Sequence, residues 1–393
     1  MDLSYPAEAE AFRVEIKAWL DANLPTDWTG SLSDMTDEQR DAFNVEWPEK
    51  LFEGGWICAS WPKEYGGGGL TKTEQLICYE EALLAGAPVP FVTLNTVGPA
   101  IMDHGTEAQK KRFLPGIAAG ETHFSIGYTE PSAGTDLASL STSAVRQGDD
   151  YIVNGSKVFT SAAEAADYVF LAARTDPDAP KHKGISILVA STDDPGFSYG
   201  PLETMGGVRT NVSYYSDVRV PTDMIVGEEN KGWVLITSQL NHERVGLAAW
   251  GIQGWKVYRS ALDWARSEKS ADGRRVIDNP SVQRALAEVY ARLEAMRVGN
   301  SRMAWLLDKG EMDPTLPSAL KVQSTETMIE VCRLLMDVVG PHALVRPNSP
   351  GAVLMGNLEH EYRRSTINTF GGGVAEVLRG LVATFGLGMP RHR

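Results

Sequence analysis

The sequence predicts an α+β chain in three parts: a helical domain over residues 1–120, a central β domain over 121–230 and a helical bundle over 231–393. Three observations predict it. Apolar residues recur at helical spacing up to about residue 120; short β-branched and aromatic runs bounded by turn residues replace them near Ile126; and the helical period returns after Gly232. A chain of 393 residues is long enough to bury two or three cores of ordinary size.

In the first part, Phe12, Ile16, Trp19 and Leu20 lie on one face of a helix from Pro6 to about Leu24. Further helices are expected over Asp37–Phe52, Lys72–Leu84 and Glu107–Phe113, separated by Pro62, Gly66–Gly69 and Pro88–Pro90. In the second part, Tyr151–Val153 and Lys157–Phe159 flank Asn154-Gly155, which reads as a hairpin because that dipeptide supplies the positive φ angles of a type I′ turn. Tyr168–Ala173, Gly184–Ala190 and Tyr214–Val220 read as strands. In the third part, Val282, Leu286, Val289, Leu293 and Met296 step by four, three, four and three, the seam of a bundle helix. Helices follow over Ser318–Val339 and Val374–Leu387.

Composition removes several function classes. With 37 basic against 51 acidic residues the net charge is −14, so the clustered cations that nucleic acid or an anionic membrane surface would need are absent as a chain-wide feature. Lys110, Lys111 and Arg112 read as a solvated helix face. Cys58, Cys78 and Cys332 form an odd set without a CxxC pair, which argues against a disulfide framework and a zinc site. His104, His123, His182 and His342 lack ligand spacing, so no metal is expected, and the GxSxG, GKS/T and HExxH signatures are missing. No apolar run reaches the roughly 18 residues of a spanning helix. Acidic residues stand where a signal peptide would carry positive charge. A soluble, cytoplasmic protein is expected.

The phrase YTEPSAGTD, Tyr128–Asp136, lies at the entry to the β domain. Its small residues let backbone amides approach a phosphate or ring edge, although such a composition also makes ordinary turns. Together with SWPKEYGG (Ser60–Gly67), NGSKVFTS (Asn154–Ser161), DVRVP (Asp217–Pro221), VGEENKGW (Val226–Trp233) and TFGGGVAEV (Thr369–Val377), it resembles the acyl-CoA dehydrogenase family over nearly the whole chain and in the family's order. GAPVPFVTLNTVGP, FSIGYTEPSAGTDLASL, DPDAPKHKGISILV and QLNHERVGL further resemble an actinobacterial group within it, which dehydrogenates steroid side-chain CoA thioesters as α2β2 heterotetramers.

The resemblance implies the acyl-CoA dehydrogenase fold, with a C-terminal four-helix bundle, and FAD as cofactor. It implies that Tyr128, Thr129, Gly134 and Thr135 line the flavin and the CoA pyrophosphate. Phe159 stands where the family usually has a tryptophan beside the flavin ring, and Ser161 where a threonine hydroxyl meets flavin N5; an aromatic plane and a hydroxyl donor are kept. Glu376 matches a flavin-binding position and Arg244 an arginine beside the active-site floor. The family's usual catalytic glutamate position is occupied by Gly372, whose backbone N–H is still able to donate to a thioester carbonyl oxygen.

A subset of the family carries its base on the first long helix after the β domain, and QLNHERVGL places Glu243 there. Spacing supports this separately. In a helix over 233–249, Glu243 shares an apolar stripe with Ile236, Leu240 and Leu247, and desolvation would raise its pKa toward that of a base. A buried ion pair with a basic residue of another helix fits the same spacing. His242 points about 100° away around that helix.

The implied reaction is α,β-dehydrogenation of an acyl-CoA to the trans-2-enoyl-CoA, with electrons passed to an electron-transfer flavoprotein. Loss of the glutamate at Gly372 frees volume for a branched or ring-bearing acyl chain. An acyl-CoA oxidase, or a non-catalytic partner subunit of a heteromeric dehydrogenase, are the alternatives. Two stretches that complete a neighbour's FAD site in homotetrameric relatives, here Arg266–Gln283 and Met336–Leu344, depart from the family pattern, so a related acyl-CoA dehydrogenase subunit is expected as partner.

Overall fold

The computed structural model describes residues 5–26, 28, 35–56, 58–88, 92–207, 209–239, 250–311 and 315–390. Helices α1 (Ala7–Asn23), α2 (Asp37–Glu53), α3 (Lys72–Ala85), α4 (Gly98–His104) and α5 (Glu107–Ala118) make the first part. Reciprocal capping boxes start three of them: Thr36 with Gln39, Thr71 with Glu74, and Thr106 with Gln109. Ile16 and Leu20 are buried, as their spacing predicts. Helix α5 runs past Phe113 and through Pro115, because Leu114 and Ile117 are buried on the same face and offset the lost hydrogen bond. In SWPKEYGG the buried Trp61 indole donates to Leu94 O at 2.9 Å. A Cβ on Gly67 would fall 2.1 Å from Trp61 O, and one on Gly98 would fall 2.1 Å from Trp61 Cζ2. The phrase is thus a packing unit.

Among the described residues, eight strands form one sheet: β1 (Phe124–Gly127), β2 (Ser143–Gln147), β3 (Asp150–Val158), β4 (Tyr168–Arg174), β5 (Ile185–Ser191), β6 (Phe197–Glu203), β7 (Arg209–Pro221) and β8 (Ile225–Val226). The order is β6-β7-β3-β2-β4-β5-β8, with β1 parallel to β4. β4 and β5 are covered on both faces, which explains their unbroken apolar runs. Asn154-Gly155 is not a hairpin turn. β3 runs straight through it, and the hairpin lies earlier, where β2 and β3 pair Gln147 with Asp150. The reason is β7, whose 13 residues pair with β3 on both sides of the dipeptide, leaving a register shift between Val153 and Gly155.

Helix α6 is described over 232–239. It is followed by α7 (Gln253–Ser267), α8 (Pro280–Asp308), α9 (Leu316–Val339), α10 (Asn357–Ser365) and α11 (Ala375–Leu381). Leu286, Val289, Leu293 and Met296 are buried in the core between α7, α8 and α9, with Val282 packed at its edge. The last helix spans nearly its expected length, α-helical over Ala375–Leu381 and continuing as a π-helix over Val382–Gly386.

Polar contacts lock the parts together. At the end of α8, Asp308 accepts the Lys72 and Thr73 backbone N–H groups at 2.6 and 3.0 Å, capping α3. Between β6 and β7, residues 204–207 rest on α10, where Arg363 donates to Met205 O. Among the described residues, no helix is long and apolar enough to cross a membrane.

Candidate active site

β1 delivers the chain to YTEPSAGTD. A Cβ on Gly127 would meet Val169 Cγ1 at 2.8 Å, so the close approach of β1 to β4 requires glycine. Tyr128 follows, buried, its hydroxyl donating to Gln239 Oε1 on α6. The half-buried Thr129 accepts Val158 N–H through its carbonyl at 2.8 Å, which binds the segment to the end of β3.

A buried ion pair fixes this junction. Lys157, wholly buried, donates from Nζ to Glu130 Oε1 at 2.9 Å and to Tyr128 O at 3.0 Å. Glu130 also accepts Ser141 N–H, Ser141 O–H and Thr142 N–H, each at 2.8 Å. Burial alone would raise the Glu130 pKa, but the Lys157 charge and these hydrogen bonds hold it down at about 2. The pair is therefore ionised, and its partners satisfy the buried charge. Beyond it, Gly134 and Thr135 are exposed, and a Cβ on Gly134 would have nothing within 4 Å. Backbone there faces open space.

At the end of β3 the chain turns sharply. Phe159 has φ +62° and Ala162 φ +60°, a left-handed backbone that costs about 1–2 kcal/mol per non-glycine residue. Ser161 N–H bonds back to Phe159 O at 3.0 Å, and Thr160 N–H reaches Asn211 O at 2.9 Å. The exposed Ser161 shares a 3.0 Å hydroxyl contact with Thr210, and its carbonyl accepts from Ser125 Oγ at 3.0 Å. The result is a Phe159 left 52% exposed two residues before the exposed Ser161.

A second cluster lies before α11. Gly372 and Gly373 have φ +67° and +108°. Lys321 of α9, wholly buried, donates to Gly373 O at 2.7 Å and anchors this turn. Glu376 is exposed in the first turn of α11.

The structure thus brings Tyr128, Thr129, Phe159 and Ser161 together, with Gly134 and Thr135 at the open end of the same segment. Gly372 and Glu376 belong to the second cluster. Glu243 and Arg244, with His242, lie outside the described residues. Sequence reasoning did not single out Glu130, Lys157, Lys321 or Gln239, although Glu130, Lys157 and Gln239 sit inside phrases it quoted. Among the described residues, no group of three or more His, Cys, Asp or Glu gathers to hold a metal.

The residues fit a flavin. A displayed aromatic plane, adjacent hydroxyls of Ser161 and Thr210, and an open, side-chain-free backbone at Gly134 are the donors and surfaces that a ring system and a phosphate need.

The chain as a whole is similar to known proteins. The acyl-CoA dehydrogenase N-terminal domain matches residues 6–121, the middle domain 125–218 and the C-terminal domain 230–387. The chain is 47% identical to the acyl-CoA dehydrogenase FadE26 of Mycobacterium tuberculosis over 400 aligned positions, covering 100% of this chain and 99% of that one. Among solved structures it is similar to the Tcur3481-Tcur3483 steroid ACAD, with a TM-score of 0.91 and 48% identity over 100% of both chains. It is also similar to the ChsE4-ChsE5 complex from Mycobacterium tuberculosis, with a TM-score of 0.89 and 46% identity over 100% of both chains.

Proposed function

Because the chain belongs to the acyl-CoA dehydrogenase family, and is thereby an acyl-CoA dehydrogenase, we propose that it uses FAD to oxidise a bulky acyl-CoA of the steroid side-chain class. The family generally uses FAD. The observation that carries the cofactor reading is the strained Phe159, an exposed aromatic residue held in a left-handed conformation two residues before Ser161. The acyl class is supported by similarity to a steroid ACAD and by the small residue at Gly372.

When bound, FAD supplies the two-electron acceptor for the β-hydride. The chain's own residues do the rest. Glu243 accepts the α-proton, with Arg244 beside it. The Gly372 N–H donates to the thioester oxygen and stabilises charge developing there. Phe159 would offer its ring as a stacking surface for the flavin, and the Ser161 hydroxyl would donate to it. Tyr128, Thr129, Gly134 and Thr135 would line the flavin and the CoA pyrophosphate, and Glu376 would contribute to flavin binding. The product is the trans-2-enoyl-CoA, and an electron-transfer flavoprotein takes the electrons in the cytoplasm.

A related subunit completes the site in an α2β2 heterotetramer. Support comes from the heteromeric name of the ChsE4-ChsE5 neighbour and from the exposed Leu344, Met355, Phe370 and Phe385 near the chain's C-terminal elements. Purified alone, the chain retains little flavin, and co-expression with the partner restores about one flavin per heterodimer; a fully loaded lone chain refutes this. Turnover of a steroid side-chain CoA exceeds that of octanoyl-CoA, and a clear preference for octanoyl-CoA refutes the substrate class. Oxygen consumption at the rate of dye-mediated turnover would make the enzyme an oxidase.

A further inference from the structure

Gln239 is 3% exposed on the last described turn of α6. Its Oε1 accepts the Tyr128 hydroxyl, while its buried Nε2 has no hydrogen-bond partner. An amide N–H buried without a partner forfeits its hydration, and native proteins keep few such groups. A methionine would fill similar space without that penalty. The Tyr128 bond accounts for the oxygen of this amide and leaves the nitrogen unexplained.

We propose that the Gln239 amide is a recognition donor, giving its N–H to a carbonyl oxygen of a ligand bound between α6 and the Tyr128 segment. The acceptor is a neutral carbonyl because the donor is neutral and, among the described residues, its surroundings supply no spare cation. Leu235 and Ile236 beside it on α6 are apolar and buried, and the ammonium nearest to Tyr128, that of Lys157, is already paired with Glu130. A thioester or pantetheine carbonyl of acyl-CoA and a ring carbonyl of the flavin share this chemistry. Tyr128 is a positioning residue: its hydroxyl holds the amide oxygen and so aims the nitrogen.

This inference rests on the site proposed above, and binding measurements separate the two. In the flavin-loaded enzyme, Gln239→Met and Gln239→Glu are compared with the parent for FAD dissociation and for binding of the trans-2-enoyl-CoA product of its best substrate, read from flavin absorbance. About 10-fold weaker enoyl-CoA binding with unchanged FAD retention assigns the donor to acyl-CoA, and KM then rises more than kcat falls. About 10-fold weaker FAD retention assigns it to the flavin. Tyr128→Phe, which leaves the amide in place but free to turn, gives a smaller loss in the same assay. If both Gln239 variants bind both ligands as the parent does, the proposal is wrong. Binding needs no turnover, so a Glu243→Gln enzyme of undiminished activity would overturn the base assignment while leaving this result intact.

Discussion

Two turns, at Phe159 and at Gly372, adopt nearly the same backbone angle, φ +62° and +67°. One holds a large aromatic residue and the other has no side chain. Glycine takes that angle freely, whereas phenylalanine pays a steric penalty of about 1–2 kcal/mol. The contrast teaches what each turn presents: a ring surface at Phe159 and bare backbone at Gly372. Their support is alike. Each is held by a wholly buried lysine donating to a main-chain carbonyl, Lys157 to Tyr128 O at 3.0 Å and Lys321 to Gly373 O at 2.7 Å. Strain at one turn and freedom at the other both require an anchor, because neither conformation is maintained by local sequence alone.

The sharpest way to break this contrast addresses the side chain that the glycine turn lacks. If Gly372 contributes only backbone, the base must lie elsewhere, and Glu243→Gln lowers kcat by about 10²–10⁴-fold in steady-state assays; an unchanged kcat would return attention to the glycine turn. Next in size is the anchor of the aromatic turn. Lys157→Met leaves the Glu130 carboxylate buried and unpaired and destabilises the protein by about 3–5 kcal/mol in denaturant titration.

The same pair sets a pH dependence. Glu130, held near 2 against an ordinary value of 4.5, contributes stability fully present above about pH 4.5 and lost as pH falls toward about 2. The parent's unfolding free energy should decline through that window, and a Glu130→Gln variant should show a flatter profile. For the second anchor, Lys321→Met releases Gly373 O and displaces the donor at Gly372, lowering kcat by about 10-fold with a smaller change in KM. The smallest effect has opposite signs in two assays. Phe159→Gly relieves the left-handed strain and raises stability by about 1 kcal/mol, while flavin retention falls. A variant that gained stability and kept its flavin would show that the ring is dispensable.

Much of the architecture was legible because it is written in short-range patterns. The Leu286–Met296 seam, the start of α3 at its Thr71–Glu74 capping box and the long apolar strands β4 and β5 each follow from neighbours a few residues apart. Asn154-Gly155 misled for the same reason. A local turn signal lost to the pairing of β3 with β7, which lies some 60 residues further along the chain. Glu130 and Lys157 escaped notice because charged residues inside a polar phrase resemble solvated ones until the sheet buries them. The glutamine of QLNHERVGL drew no comment beside Glu243, since an amide shows its importance only when one end is satisfied and the other is not.

Residue order therefore settled the three-part plan, the helix starts and the phrases from which the flavin-lining residues were inferred, since periodicity and capping act within a few residues. Folding in three dimensions settled the rest: that Lys157 meets a glutamate 27 residues away, that Lys321 reaches a glycine turn 52 residues away, and that Tyr128 finds Gln239 across 111 residues. Each of these depends on burial, which strengthens a polar contact by removing water and is fixed by the packing of distant elements.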